Sequence, residues 1–186
     1  MRTRCPWANV NTQMQTYHDT EWGVPCHKDS ALFEYVLLDS FQAGLSWATI
    51  LRKRENFRTS FDDFDVQKIA NYQNAKVEKL LQDSGIIRHR GKIEATTQNA
   101  NVFLNIQKEF GSFGVYLWNW MSNQTKKNLW EQESNIPSST ADSDAISKDL
   151  KKRGFRFFGT TICYAFMQGA GLVNDHLVSC FRYHEV

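Results

Sequence analysis

His176 and Cys180 lie four residues apart near the end of the chain, and Cys5 and His18 stand near its beginning. Two thiolates and two neutral imidazoles form a donor set suited to a tetrahedral zinc ion. The spacing of four predicts that residues 176–180 form a helix, which would put both side chains on one face, a turn apart, where they can converge on one ion. Such a site would tie the two ends of the chain together. With all four positions filled by protein, no activated water fits, so the site is expected to be structural and the chemistry to lie elsewhere. The interval from Cys5 to His18 is long, however, and the chain has no Cys-x-x-Cys pair. Spacing alone leaves open a surface thiol at Cys5, a core histidine at His18 and an accidental pair at 176 and 180. Cys26 and Cys163 sit in ordinary apolar surroundings and read as unpaired thiols.

A second group of residues could act on a ligand. Leu38-Asp39-Ser40-Phe41-Gln42-Ala43-Gly44-Leu45-Ser46-Trp47 places an acid and an amide in an apolar helix end, followed by a glycine turn and an indole. Burying Asp39 costs free energy, so it is expected to be exposed, a cap, or functional. The bland reading is a helix end around Gly44 with Asp39 on a solvent edge. Trp7, Tyr17 and Trp22 precede it, and flat rings beside one carboxylate suit a pocket for a planar heterocycle. Trp118, Trp120 and Trp130 are expected in the core.

The third group is a run of cations and glycines. A helix ending Lys151-Lys152-Arg153 leads to Gly154-Phe155-Arg156-Phe157-Phe158-Gly159 and to a second helix starting at Thr160. Glycines with basic flanks at a helix N-terminus can offer N–H groups and a favourable dipole to a phosphate. An αα-hairpin without function would look similar. Arg52-Lys53-Arg54 and Arg88-His89-Arg90-Gly91-Lys92 are two further basic patches, each read by itself as a solvated face; together with glycines they make nucleic acid a serious candidate.

These groups need a scaffold, and the apolar spacing predicts a helical one. Leu32, Phe33, Val36 and Leu37 give one stripe, Val77, Leu80 and Leu81 another. Residues 91–110 and 143–152 carry further stripes. The expectation is an all-α protein of about eight to ten short helices, with one short extended piece near residues 155–158. Asp62, Asp63 and Asp65 are expected to cap a helix beginning near Val66, and Ser84-Gly85 to end the one before Ile86. Residues 123–143 form the longest expected loop and the most mobile region. At 186 residues and net charge +2, one domain with a substantial core is the default. No segment approaches the ~20 apolar residues of a membrane span, so a soluble intracellular protein with reduced cysteines is expected.

Taken together the chain resembles the 3-methyladenine DNA glycosylase I family. The likeness is carried by Cys5 with Trp7, Tyr17-His18-Asp19, Glu21-Trp22-Gly23-Val24-Pro25, Gln42-Ala43-Gly44-Leu45-Ser46-Trp47, Arg54-Glu55-Asn56, residues 85–92, Lys151-Lys152-Arg153-Gly154-Phe155, residues 159–164 and Asn174-Asp175-His176. These run in family order over nearly the whole chain. The resemblance implies a compact helix-hairpin-helix glycosylase fold with one structural zinc held by Cys5, His18, His176 and Cys180. It implies hydrolysis of the N-glycosidic bond of 3-methyladenine in double-stranded DNA, leaving an abasic site; a monomer is the simplest expectation. It further implies that Trp47 stacks on the extruded base, with Tyr17, Trp7, Trp22 and Gln42 around it. Gly44 and Leu45 would lie at the gap in the duplex, and Lys152, Arg153, Gly154, Gly159 and Thr160 on the DNA backbone.

Two features depart from relatives of this fold. The wider superfamily carries a catalytic aspartate where this chain has Asn174, so neither an aspartate nucleophile nor a Schiff-base lysine is assigned. The family's base-reading acid is typically glutamate, and here Asp39 stands in its place. The lost methylene exceeds the ~0.5 Å tolerance of a preorganised site, unless a water or a helix shift restores the contact. Two alternatives stay open: a glycosylase of the same fold with another lesion range, or a DNA-binding module that has lost the reaction.

Overall fold

The computed structural model describes residues 2–186, which are mostly helical. Nine α-helices occur among them: α1 (Thr12–Thr20), α2 (Asp29–Gln42), α3 (Trp47–Ser60), α4 (Val66–Ala70), α5 (Asn74–Gln82), α6 (Arg90–Phe110), α7 (Phe113–Asn119), α8 (Ala141–Arg153) and α9 (Thr160–Gly169). The periodicity located α6 and α8 to within two residues at each end. None of the described helices is long and apolar enough to cross a membrane.

Helix α2 is the centre. Every residue from Leu32 to Phe41 is buried, so this helix has no solvent face and must be wrapped by others. Helices α3, α6, α7 and α9 do so. Asp29 at its start accepts hydrogen bonds from the backbone N–H groups of Phe113 and Gly114 at 2.9 and 2.8 Å, satisfying donors at the start of α7. At its other end Lys92 of α6 donates from Nζ to the carbonyls of Phe41 and Ala43 at 2.8 and 2.5 Å. That ammonium closes the helix just before the turn at Gly44, where φ is +82° and a residue with Cβ would be strained.

Caps explain several helix ends. Asp65 accepts from Gln67 and Lys68 and starts α4. Neither Asp62 nor Asp63 joins it as a cap, since Asp62 bonds to Tyr72 and Lys76, and Asp63 belongs to a preceding 3-10 turn. Helix α5 stops at Gln82, two residues before Ser84, and Asp83 then accepts the Gly85 N–H at 2.7 Å. Thr140 and Ser143 form a reciprocal cap on α8, and Gly154 ends that helix in the left-handed region.

The structure corrects four expectations. The extended piece at 155–158 is a turn, with Phe157 at φ +54°. Strand pairing occurs instead between β1 (Lys126–Lys127) and β2 (Val173–Asn174), which run parallel. This pairing pulls residues 123–143 onto the body of the protein, where the 3-10 turn Glu133–Asn135 follows. Residues 176–180 are not a helix either: the His176 N–H goes to Asn174 Oδ1, that of Val178 to the Trp130 carbonyl and that of Cys180 to Leu177. With those donors spent on turn and loop partners, no helical ladder can form. Finally, Trp118 is in the core, but Trp120 is 42% exposed and Trp130 half-buried.

Candidate functional site: a buried Cys/His cluster beside an aromatic cavity

The chain ends meet through backbone and side chain. The Phe181 N–H donates to the Thr3 carbonyl at 3.0 Å, which brings Cys5 and Cys180 together with His18 of α1 and His176. All four are buried, and their ligand atoms lie within 4.8 Å of one another. Cys180 Sγ is 3.4 Å from His18 Nε2 and 3.7 Å from His176 Nδ1, and Cys5 Sγ is 3.8 Å from the same Nδ1. A tetrahedral ion with ~2.3 Å bonds to sulfur and ~2.0 Å bonds to nitrogen separates its donors by about 3.3–3.8 Å. The cluster therefore fits a metal ion in size and donor type.

The far nitrogens fit too. His18 Nδ1 lies 2.8 Å from Asp19 Oδ1, and Arg4 in turn donates to Asp19. His176 Nε2 lies 3.1 Å from the Trp22 carbonyl. Such partners fix the tautomer and aim the remaining nitrogen at an ion. Hydrogen bonding to Cys5, and then to His176 and His18, holds the Cys180 thiol well below the ordinary range, while its bond to Cys180 and burial push Cys5 up. One thiolate is thus already favoured.

Against this cluster lies a cavity of about 260 Å³, lined by Trp7, Met14, Tyr17, Trp22, Asp39, Gln42, Trp47, Ile136, Ala165 and Gln168. The two sites share a wall. The Trp22 ring meets His176 edge-on at 4.6 Å, and the Trp7 ring meets His18 at 5.3 Å. Trp7 and Trp22 pack edge to face at 5.0 Å, and Tyr17 and Trp47 approach at 5.3 Å. The Tyr17 hydroxyl lies close to Gly169, where an added Cβ would stand 3.1 Å from it.

Asp39 projects from the buried face of α2 into this cavity and is 3% exposed. It is neither solvent-exposed nor a cap, and no hydrogen-bond donor meets its carboxyl among the described residues. Burial pushes that carboxyl well above the usual carboxylate range. Burial likewise holds Tyr17 as a phenol. Gln42 Oε1 and Trp47 Nε1 are also buried without a partner. Partnerless buried polar atoms are rare in folded proteins, and here two lie around one cavity, beside a carboxyl that also has no partner among the described residues. It is apolar on its faces and polar at a few points, the usual make-up of a site for a small planar ligand.

All six residues read from the sequence as pocket residues, Trp7, Tyr17, Trp22, Asp39, Gln42 and Trp47, line this cavity. Met14, Ile136, Ala165 and Gln168 were missed. Ala165 and Gln168 come from α9, whose apolar face reads as core, and Ile136 from the loop whose position depends on β1 pairing with β2. Asn174 lies outside the lining. Its amide is buried and donates to the carbonyls of Tyr183 and Val186.

The cationic runs divide. Gly44 and Leu45 form the exposed turn between α2 and α3, beside Gln42 and Trp47, with Leu45 40% exposed. Gly154 and Gly159 lie on the turn joining α8 and α9, with Lys152 in the last turn of α8 and Thr160 at the start of α9, and Lys151, Lys152 and Arg156 are exposed there. Arg153 is spent on Glu109 and Asp149 at 2.6 and 2.7 Å, and Thr160 donates to Asp144 at 2.5 Å. In the other runs Arg54 binds Glu34 and Glu21, Arg90 binds Glu78, and Lys92 is buried. Arg54 and Lys92 thus hold the fold together, while the Arg90–Glu78 pair lies on a solvated face, as read from the sequence.

Comparison with known proteins agrees with this geometry. The family model described as methyladenine glycosylase matches residues 7–183. The DNA-3-methyladenine glycosylase 1 of Escherichia coli is 50% identical over 97% of this chain and 96% of its own length. A crystal structure of 3-methyladenine DNA glycosylase I superposes with a TM-score of 0.94 at 49% identity, covering 96% of this chain and 98% of that one. A tyrosine-to-phenylalanine variant of 3-methyladenine DNA glycosylase I in complex with 3-methyladenine gives 0.93 at 34% identity, covering 96% of each chain. A match that runs from Trp7 on one wall of the cavity to the last turn of the chain shows that the protein belongs to the methyladenine glycosylase family.

Proposed function

We propose that this chain is a DNA-3-methyladenine glycosylase of base excision repair. It hydrolyses the N-glycosidic bond of 3-methyladenine in alkylated double-stranded DNA, releases the free base and leaves an abasic site. The observation that carries this reading is the partnerless, buried Asp39 in a cavity walled by Tyr17, Trp7, Trp22 and Trp47. Extruding a base from the stack costs a few kcal/mol, less at a lesion, and stacking worth ~1–3 kcal/mol per base offsets much of that. In this reading Trp47 is the stacking surface, and Trp7, Trp22 and Gln42 enclose the base. Methylation at N3 makes the base cationic and a good leaving group. A buried carboxyl without a partner selects for such a cation, because only a positive ligand offsets the burial of its charge.

Asp39 and Tyr17 are the catalytic pair. Asp39 takes up the positive character of the leaving base, and the Tyr17 phenol supplies a hydrogen-bond donor on the same wall. Water is the final nucleophile, so positioning and electrostatics supply the rate. Leu45 and Gly44 enter the gap left in the duplex, while Lys152, Gly154, Gly159 and Thr160 meet the backbone, with Arg153 positioning the turn.

We further infer that the Cys/His cluster binds one zinc ion through Cys5, His18, His176 and Cys180. The closed donor set makes that ion structural, tying the chain ends behind Trp7 and Trp22. The protein acts as one domain and a monomer. The test is chromatography of bases released from DNA treated with a methylating agent, against heat-killed protein. Selective release of 3-methyladenine supports the assignment; release of another base alone assigns a different lesion to Asp39, and no release from folded, metal-loaded protein leaves a binding module.

A further inference from the structure

Asp175 has no part in the function above, yet it is fully buried and its carboxylate receives four hydrogen bonds. Asn128 Nδ2 and Trp130 Nε1 donate to Oδ1 at 2.6 and 2.7 Å. The Tyr164 hydroxyl and Gln168 Nε2 donate to Oδ2 at 2.6 and 2.8 Å. Each oxygen accepts two bonds, which fills the carboxylate's lone-pair sites.

The fourth donor is the informative one, because Gln168 also lines the cavity. A primary amide has an NH2 side and a carbonyl side, and a carboxylate can only accept. Asp175 therefore pins the NH2 side of Gln168 and forbids the flipped rotamer, which would set two oxygens against each other. The carbonyl Oε1 has no donor among the described residues and is left free for a ligand of the cavity that Gln168 lines. Asp39, on α2, adds a second acceptor to the same cavity.

We propose that Gln168 is a specificity-determining residue that reads the exocyclic amino group of the base through Oε1, and that Asp175 is the positioning residue that sets its orientation. This rests on the assignment of the cavity to a methylated adenine. Adenine carries an amino donor at C6, whereas guanine and hypoxanthine carry an oxygen there. A fixed acceptor admits the first and repels the others, because an acceptor facing an acceptor leaves both desolvated. With the shorter Asp39 in place of glutamate, a second acceptor on α9 keeps the preference from depending on one side chain.

The experiment compares release of 3-methyladenine and 3-methylguanine from the same methylated DNA by wild type, Gln168→Met and Asp175→Asn, with melting temperature and metal content measured alongside. The expected result for Gln168→Met is a fall of about three- to tenfold in kcat/KM for 3-methyladenine, with that for 3-methylguanine unchanged or raised. Asp175→Asn, which frees the amide to flip, should lower the same preference, and the double variant should lower it no further than the larger single effect. A purely structural role would slow both bases alike.

A measurement on the wild type covers the case in which the variants do not fold. The Gln168 side-chain carbonyl carbon should shift in the NMR spectrum on binding free 3-methyladenine and not on binding 3-methylhypoxanthine. An unchanged base preference in folded Gln168→Met, or a carbonyl resonance that ignores 3-methyladenine, overturns the proposal while leaving the glycosylase assignment intact. Wild type that releases no 3-methyladenine overturns both.

Discussion

The Cys/His cluster and the cavity share two tryptophans but treat their polar atoms in opposite ways. In the cluster both histidines have each ring nitrogen engaged, the Cys5 sulfur accepts the Leu177 N–H, and Asp19 is itself held by Arg4. In the cavity, Gln42 Oε1 and Trp47 Nε1 are buried without a partner, and the carboxyl of the buried Asp39, which lines the same cavity, has no donor among the described residues. Each such atom costs ~1–3 kcal/mol. The first region spends its polar groups on the fold, and the second keeps them for a ligand. A stable frame beside a costly pocket is the pattern expected where function sets the composition of one wall.

The contrast is disturbed most by removing the frame. Chelation, or His176→Ala, should lower the melting temperature and abolish base release together, since a bound structural metal contributes more than ~5 kcal/mol of folding free energy. Calorimetry with metal analysis checks it, and a metal-free chain that melts unchanged removes the zinc assignment. On the cavity side Trp47→Ala should cut kcat/KM by about ten- to a hundredfold, equivalent to ~1–3 kcal/mol of stacking, with melting little altered. The same variant should lose the fluorescence quenching that free 3-methyladenine produces. The smallest effect is expected at the rim: Leu45→Gly should slow release from duplex DNA by about three- to tenfold and leave binding of the free base unchanged. A loss of free-base binding in that variant would place Leu45 in the cavity instead.

What the sequence made legible follows the range of the interactions involved. Local rules located α6 and α8, because their apolar stripes repeat within a turn or two, whereas the reciprocal cap at Thr140 lay inside the segment read as a loop. The six aromatic and polar cavity residues were legible by type, since a carboxylate and an amide in an apolar helix need a reason. Gln168 and Ile136 were not. Gln168 reaches the cavity through the packing of α9 against α2, and Ile136 through the pairing of Lys126–Lys127 with Val173–Asn174, contacts between segments far apart in the chain. The helix expected at 176–180 failed for the same cause: a spacing of four fits a turn as well as a helix, and the Val178 N–H is bound to Trp130. The resemblance grouped Cys5, His18, His176 and Cys180, which spacing alone left open, whereas Arg54 and Lys92 looked like surface charge until their partners were seen; Arg90 is on the surface as expected.

Asp39 is kept in its cavity at a cost to stability because, in the proposed function, it serves a base. Its carboxyl is raised by burial, so between the unfolded value of ~3.9 and the higher folded value the native chain holds a proton that the unfolded chain has released. Stability from this group is complete below that window and falls as pH rises through it. The decisive measurement is Asp39→Asn, assayed on one preparation for release of 3-methyladenine and for melting between pH 4 and 8. The expected result is release reduced by at least about a hundredfold, stability raised at pH 7, and a flatter pH dependence than wild type. Unimpaired release, or a variant less stable than wild type at pH 7, would contradict it.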